Sequence, residues 1–196
     1  SLLLALSLLA TCALAYGDGT GAATYTNEWA LADGLTYENA VSRNSSGGRV
    51  ETFSLELQPY SGVYPIVLAC DTIYGGMTIN NMISYAESLG YNVVGAVNAD
   101  FGYWDTRIPC GMVVEDGIYK SSPEGNHAIA FTEDGAFASS RPEVYITLEN
   151  NTTGHVAETT HLNKTRADDG LYLYSEYFST VSTRTSSSGW YVILRV

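Results

Sequence analysis

Residues 75–97 decide the fold: Gly75-Gly76-Met77-Thr78-Ile79-Asn80-Asn81-Met82-Ile83-Ser84-Tyr85-Ala86-Glu87-Ser88-Leu89-Gly90-Tyr91-Asn92-Val93-Val94-Gly95-Ala96-Val97. The glycine pair breaks the chain, and Thr78 then offers a side-chain oxygen at the N-cap position of a helix. Ile79, Met82, Ile83, Ala86 and Leu89 recur at three- and four-residue steps, so one helical face is apolar. Gly90 is placed to close the helix in the left-handed conformation. Tyr91 to Val97 is apolar and rich in β-branched residues, which predicts a buried strand, and Ile66 to Ala69 predicts another on the near side. Strand, helix and strand in this order predict a right-handed crossover with parallel pairing.

Outward from this unit the pattern is one of short strands. Glu51 to Leu57 alternates polar and apolar residues, the period of a half-buried strand. After residue 110 hairpins are expected. Met112-Val113-Val114 and Ile118-Tyr119 flank Glu115-Asp116-Gly117, and Ala128 to Phe131 and Ala136-Phe137 flank Glu133-Asp134-Gly135. Asp-Gly between apolar runs favours a tight hairpin because glycine takes positive φ without steric cost. Val144 to Leu148 alternates again, and Leu171 to Tyr174 and Trp190 to Val196 are strand-like. The expected class is therefore α+β: a mixed, mostly antiparallel β-sheet with one clear helix in a strand–helix–strand crossover.

At the front, Leu2 to Ala15 is an uncharged apolar run ending Ala13-Leu14-Ala15, the core and A-x-A cleavage pattern of a secretory signal peptide. It is shorter than the roughly 20 residues of a membrane span. The expected organisation is a signal peptide at 1–15, a Gly/Thr/Ala-rich linker at 16–28 and one domain over 29–196. The first residue is Ser1, so the record is expected to be clipped at its front. Its apolar strand-like finish suggests truncation at the C-terminus too. Export predicts a secreted or cell-surface protein and permits Cys70 and Cys110 to pair; two buried free thiols fit the sequence equally.

The 196 residues carry 9 cationic and 21 acidic side chains, a net charge of −12, with 45% hydrophobic residues. That hydrophobic content excludes a disordered chain. The negative charge argues against a nucleic-acid partner, because phosphate contacts need a basic face. His127, His155 and His161 lack metal-ligand spacing and no CxxC occurs, so no metal site is expected, and the sequence assigns no cofactor.

Two clusters have the residue types that chemistry requires. Asn98-Ala99-Asp100-Phe101-Gly102-Tyr103-Trp104-Asp105 follows the expected buried strand, where α/β sheets place ligands. Asn98 brings a donor and an acceptor, Asp100 a carboxylate, and Phe101 and Trp104 flat faces suited to a sugar ring. An Asx-turn that closes the strand explains the same residues. Asp105 reads equally as a partner carboxylate or a solvated loop charge. The second cluster, His161-Leu162-Asn163-Lys164-Thr165-Arg166, sets an amide and two cations in one loop. Arg166 has the fork geometry for phosphate, or it pairs with Asp168 or Asp169 in a solvated loop.

Val97 to Phe101, Ile108-Pro109-Cys110-Gly111-Met112-Val113-Val114-Glu115-Asp116-Gly117, and Asn163-Lys164-Thr165-Arg166 before Leu171-Tyr172-Leu173-Tyr174 together resemble the phosphodiester glycosidase family. That family includes the enzyme that uncovers mannose 6-phosphate by removing N-acetylglucosamine, and many exported bacterial proteins. The resemblance runs from about Trp29 to Val196. It departs at Ala99 and Gly102, where the family has Gly and Phe, and in lacking a C-terminal Gly-rich motif. It implies hydrolysis of a sugar 1-phosphodiester at the anomeric carbon. Asp100 and Asn98 would take the catalytic positions, and Asn163, Arg166, Phe101 and Trp104 would bind sugar or phosphate. The expected partner is a glycan or sugar-phosphate substrate. A non-catalytic exported carbohydrate-binding module on the same scaffold is the alternative.

Overall fold

The computed structural model describes residues 21–133, 136–180 and 188–194. The expected signal peptide lies outside them. The chain divides at Val63–Tyr64 into two compact units, where the sequence suggested one domain over 29–196.

The first unit is an antiparallel meander of β1 (Tyr25–Ala32), β2 (Leu35–Arg43) and β3 (Arg49–Leu57), in that order. β1 starts within the expected linker. Tyr25, Thr26 and Trp29 are strand formers, and β2 supplies their ladder, so Gly/Thr/Ala-rich composition alone mislabels residues 25–28. Gly34 turns β1 into β2 at φ +78°, and a β-carbon there would run into Ser61. Asn44 closes the β2–β3 turn by accepting hydrogen bonds from the backbone N–H groups of Ser46 and Gly48. Across one face of the meander Trp29, Tyr37 and Phe53 form an aromatic row, with centroid separations of 5.3 and 6.5 Å.

The second unit holds the helix and the short hairpins. Helix α1 spans Ile79–Ser88, with Thr78 Oγ1 accepting from Asn81 N and Gly90 at φ +95°, as its caps predict. The flanking runs differ from expectation. Residues 66–69 and 91–97 belong to no ladder, and Val97 is 73% exposed. An apolar run signals burial, but a strand also needs a neighbouring edge to bond, and the run itself does not encode that edge. The hairpins do form. β4 (Val113–Glu115) pairs with β5 (Ile118–Ser121) across Asp116 and Gly117, whose φ values of +49° and +77° are those of a two-residue type I′ turn. β6 (Ala128–Phe131) pairs with β7 (Phe137–Ser140), and β8 (Ile146–Glu149) with β9 (Val156–Thr159). β10 (His161–Leu162) and β11 (Tyr172–Leu173) form a parallel pair. Residues 188–194 carry no regular element, and the remainder of the strand expected over 190–196 lies outside the described residues. Among the described residues the architecture is mostly antiparallel β with a single short helix.

Ile73, Ile108 and Phe178 make a small core, with Tyr74 edge-on to Phe178 and Tyr174 tilted against it. Cys70 is buried and Cys110 half-buried, and both are free thiols.

Candidate functional site

The site grows from the loop that follows the exposed run ending at Val97. Phe101 to Tyr103 folds back on Ile108 to Cys110. Cys110 N bonds Phe101 O at 2.8 Å, Tyr103 N bonds Ile108 O at 3.0 Å, and Gly102 bridges Pro109. Asp100 anchors the base of this irregular hairpin. Its Oδ1 accepts from Phe101 N at 2.7 Å and its Oδ2 from Gly111 N at 2.6 Å. Gly111 lets the carboxylate come this close: a β-carbon there would stand 3.0 Å from Asp100 Oδ2, which would have to give way. Asp100 thus closes a turn, as one sequence reading expected, but with no strand at 91–97 before it, and it remains exposed to solvent.

The second loop reaches the same backbone. Lys164 is fully buried, and its Nζ donates to three successive carbonyls, Pro109 at 2.8 Å, Cys110 at 3.1 Å and Gly111 at 2.9 Å. Asp100 therefore holds an N–H of residues 109–111 while Lys164 holds their C=O groups. The two sequence clusters, more than 60 residues apart in the chain, meet on these three residues. Tyr174 Oη donates to Lys164 O at 2.9 Å and ties the lysine backbone to the core.

Asn163 is used by the fold. It is fully buried at φ +55°, and its amide donates to Lys120 O and Ser175 Oγ and accepts from Ser175 N, each at 2.9 Å. These bonds use both amide donors, and full burial withdraws the remaining oxygen lone pair from solvent. Arg166 donates to Ser188 O at 2.5 Å and lies over the Tyr191 ring at 5.7 Å. Asn98 is exposed, as are Phe101 (85%) and Trp104 (87%), with Arg107 stacked on the Trp104 ring at 5.3 Å. The structure thus joins Asp100 to the Asn163–Arg166 loop, but through Lys164 rather than through Asn163.

Sequence reasoning passed over two neighbours. Glu124 accepts from Tyr103 Oη at 3.3 Å, and its other oxygen lies 3.8 Å from His161 Nδ1. The Glu124 charge is the main reason that the Tyr103 hydroxyl is held above its usual pKa. Lys120, also buried, donates to Cys70 O and pairs with Glu115 at 2.9 Å, so both lysines of the chain are internal. A lysine reads as solvated in sequence; only the carbonyls around it reveal otherwise.

Burial pushes the Lys164 ammonium down from 10.5 to about 8, against the opposing pull of Glu124, Asp100 and Cys110. Its folded value lies below its unfolded one. Between pH 8 and 10.5 the unfolded chain therefore keeps a proton that the folded chain has released, and stability rises with pH across that window. Tyr174, raised by burial to about 12, opposes this above pH 10. Urea unfolding is expected to give a gain on the order of 2 kcal/mol between pH 8 and 10. Lys164→Met should lack the gain, and a flat wild-type profile contradicts the assignment.

No known family model matches the chain, and no curated protein and no solved structure shows a significant match. Among the described residues no group of His, Cys, Asp and Glu is arranged to hold a metal ion, and no helix is long and apolar enough to cross a membrane.

Proposed function

We propose that this chain is, or is part of, an exported hydrolase that cleaves a sugar 1-phosphodiester at the anomeric carbon. One observation carries the reading: the three boxes that resemble the phosphodiester glycosidases come together, with Asp100 and Lys164 both bonded to the backbone of Pro109–Gly111. Cleavage at that carbon develops positive charge on the sugar ring, which an exposed carboxylate such as Asp100 offsets. The departing phosphate monoester is a weak base, so a cationic clamp from Arg166 matters more than a strong acid. Asn98, Phe101 and Trp104 would orient the sugar. The crossover expected around α1 belongs to the same proposal, with residues 66–69 and 91–97 pairing once a further strand lies against them. Secretion or display at the cell surface follows from the leader-like residues 1–15.

The test is an assay of the complete protein on a sugar 1-phosphodiester, with and without chelator, following free reducing sugar and phosphate monoester. Release of both in equal amounts supports the reading, and no release from any such substrate removes it. The second reading, a non-catalytic carbohydrate-binding module, is favoured by the solvent-facing Phe101 and Trp104 rings and by the turn-closing role of Asp100. Glycan binding without turnover would select it.

A further inference from the structure

We infer that Glu124 is the second carboxylate of this site and takes the proton from the attacking water, with His161 behind it as the onward acceptor. This rests on the phosphodiester reading and adds to it a residue outside the three resembling boxes.

Glu124 stands on the turn after β5, where Glu124 and Gly125, at φ +47° and +74°, make the same kind of turn as Asp116-Gly117, closed by Asn126 N on Pro123 O at 3.0 Å. That turn brings the Glu124 side chain to the Asp100 hairpin. The side chain is 25% exposed, so its carboxylate meets both protein and solvent. Tyr103 Oη, from the Asp100 hairpin, holds one oxygen at 3.3 Å. The other oxygen faces His161 Nδ1 at 3.8 Å, too long for a hydrogen bond. That nitrogen is buried and has no hydrogen-bond partner. An unpaired polar nitrogen beside a carboxylate is costly in a resting fold, and such contacts shorten when substrate closes a site. The imidazole is held flat on Tyr172, centroids 4.6 Å apart and 13° from parallel, and Tyr172 Oη is fixed by Ala167 N. His161 also lines an open cleft with Glu158 and Tyr145, which gives a proton a way out to solvent.

Lys164 completes the argument. The charges of Asp100 and Glu124 both favour its protonated form, against burial, and Tyr103 carries the Asp100 hairpin to Glu124. Paired carboxylates are what glycosidic cleavage uses, one beside the developing sugar cation and one for water. In the step inferred, water oxygen bonds to the anomeric carbon as one water proton moves to Glu124. The carbon–oxygen bond to phosphorus breaks, and its electron pair stays on the phosphate monoester. The proton passes to His161 and then to solvent, so the products are the reducing sugar and the monoester.

The experiment uses the complete protein, a sugar 1-phosphodiester and sodium azide. Glu124→Ala should lose about a hundredfold to a thousandfold in kcat. Azide, which attacks without giving up a proton, should restore at least roughly tenfold of that and yield the glycosyl azide. Glu124→Gln can still accept from Tyr103, so it should fold as wild type and show the same fall in kcat with little change in KM. Wild-type turnover in either variant overturns the inference. So does a slow, folded Glu124→Ala that azide does not revive, because that marks a structural role. If Glu124→Ala does not fold, the kcat of Glu124→Gln decides alone. Failure of wild type itself to cleave the substrate is separately visible and removes the parent reading with this one.

Discussion

Asp100→Asn is expected to lower turnover of a sugar 1-phosphodiester by about a thousandfold, equivalent to about 4 kcal/mol of barrier. The carboxylate is exposed, and each oxygen accepts one backbone N–H, so lone pairs and charge remain available to a substrate. The amide keeps the shape and removes the charge that a cationic sugar would meet. It also sets an NH2 group against the N–H of Phe101 or Gly111, which costs about 1–3 kcal/mol of stability. The unfolding midpoint should therefore fall as well. The two effects separate because turnover is read at 25 °C on folded protein, as a loss in kcat with KM nearly unchanged. A variant that unfolds more readily yet turns over at the wild-type rate leaves Asp100 with its turn-closing role alone.

Asn163→Ala is expected to destabilise the protein by about 4 kcal/mol. The substitution strands the Lys120 carbonyl in a buried place and the Ser175 hydroxyl and N–H in a half-buried one. It also puts alanine at φ +55°, where the left-handed conformation costs roughly 1 kcal/mol that asparagine largely avoids. Asn163→Gly removes that strain, so it should recover about 1 kcal/mol and no more. Denaturant unfolding measures both. If Asn163→Ala keeps full stability but weakens substrate binding, the residue is a ligand as the family resemblance implied, and the geometry has been misjudged.

Local signals are legible in the sequence, and long-range ones are not. Thr78 and Gly90 bracket α1 because caps are set by the residues themselves. Asp116-Gly117 specifies its hairpin for the same reason. The run at 91–97 shows where such reading stops: its residues suit a strand, yet pairing depends on chain elsewhere. β1 hid in a small-residue stretch whose partner strand lies beyond Gly34. At the site, Asp100 was legible from its aromatic neighbours. Glu124 was not, because Ser-Pro-Glu-Gly reads as any surface turn. Lys164 was visible as a cation, but its burial depends on three carbonyls from residues 109–111. Asn163 had the right chemistry for a ligand and was claimed by Lys120 and Ser175, contacts that no spacing rule reveals.

The grip on Pro109, Cys110 and Gly111 runs entirely through main-chain atoms. Substitutions at 109 and 110 are accordingly blind to it, unlike those at Asp100 and Lys164: trimming Cys110 leaves its carbonyl in place. Amide-to-ester exchange at position 111 would erase the Gly111 N–H donor without altering any side chain. Drift at 109 and 110 is cheap for this protein, while the path of the peptide itself is not free to change.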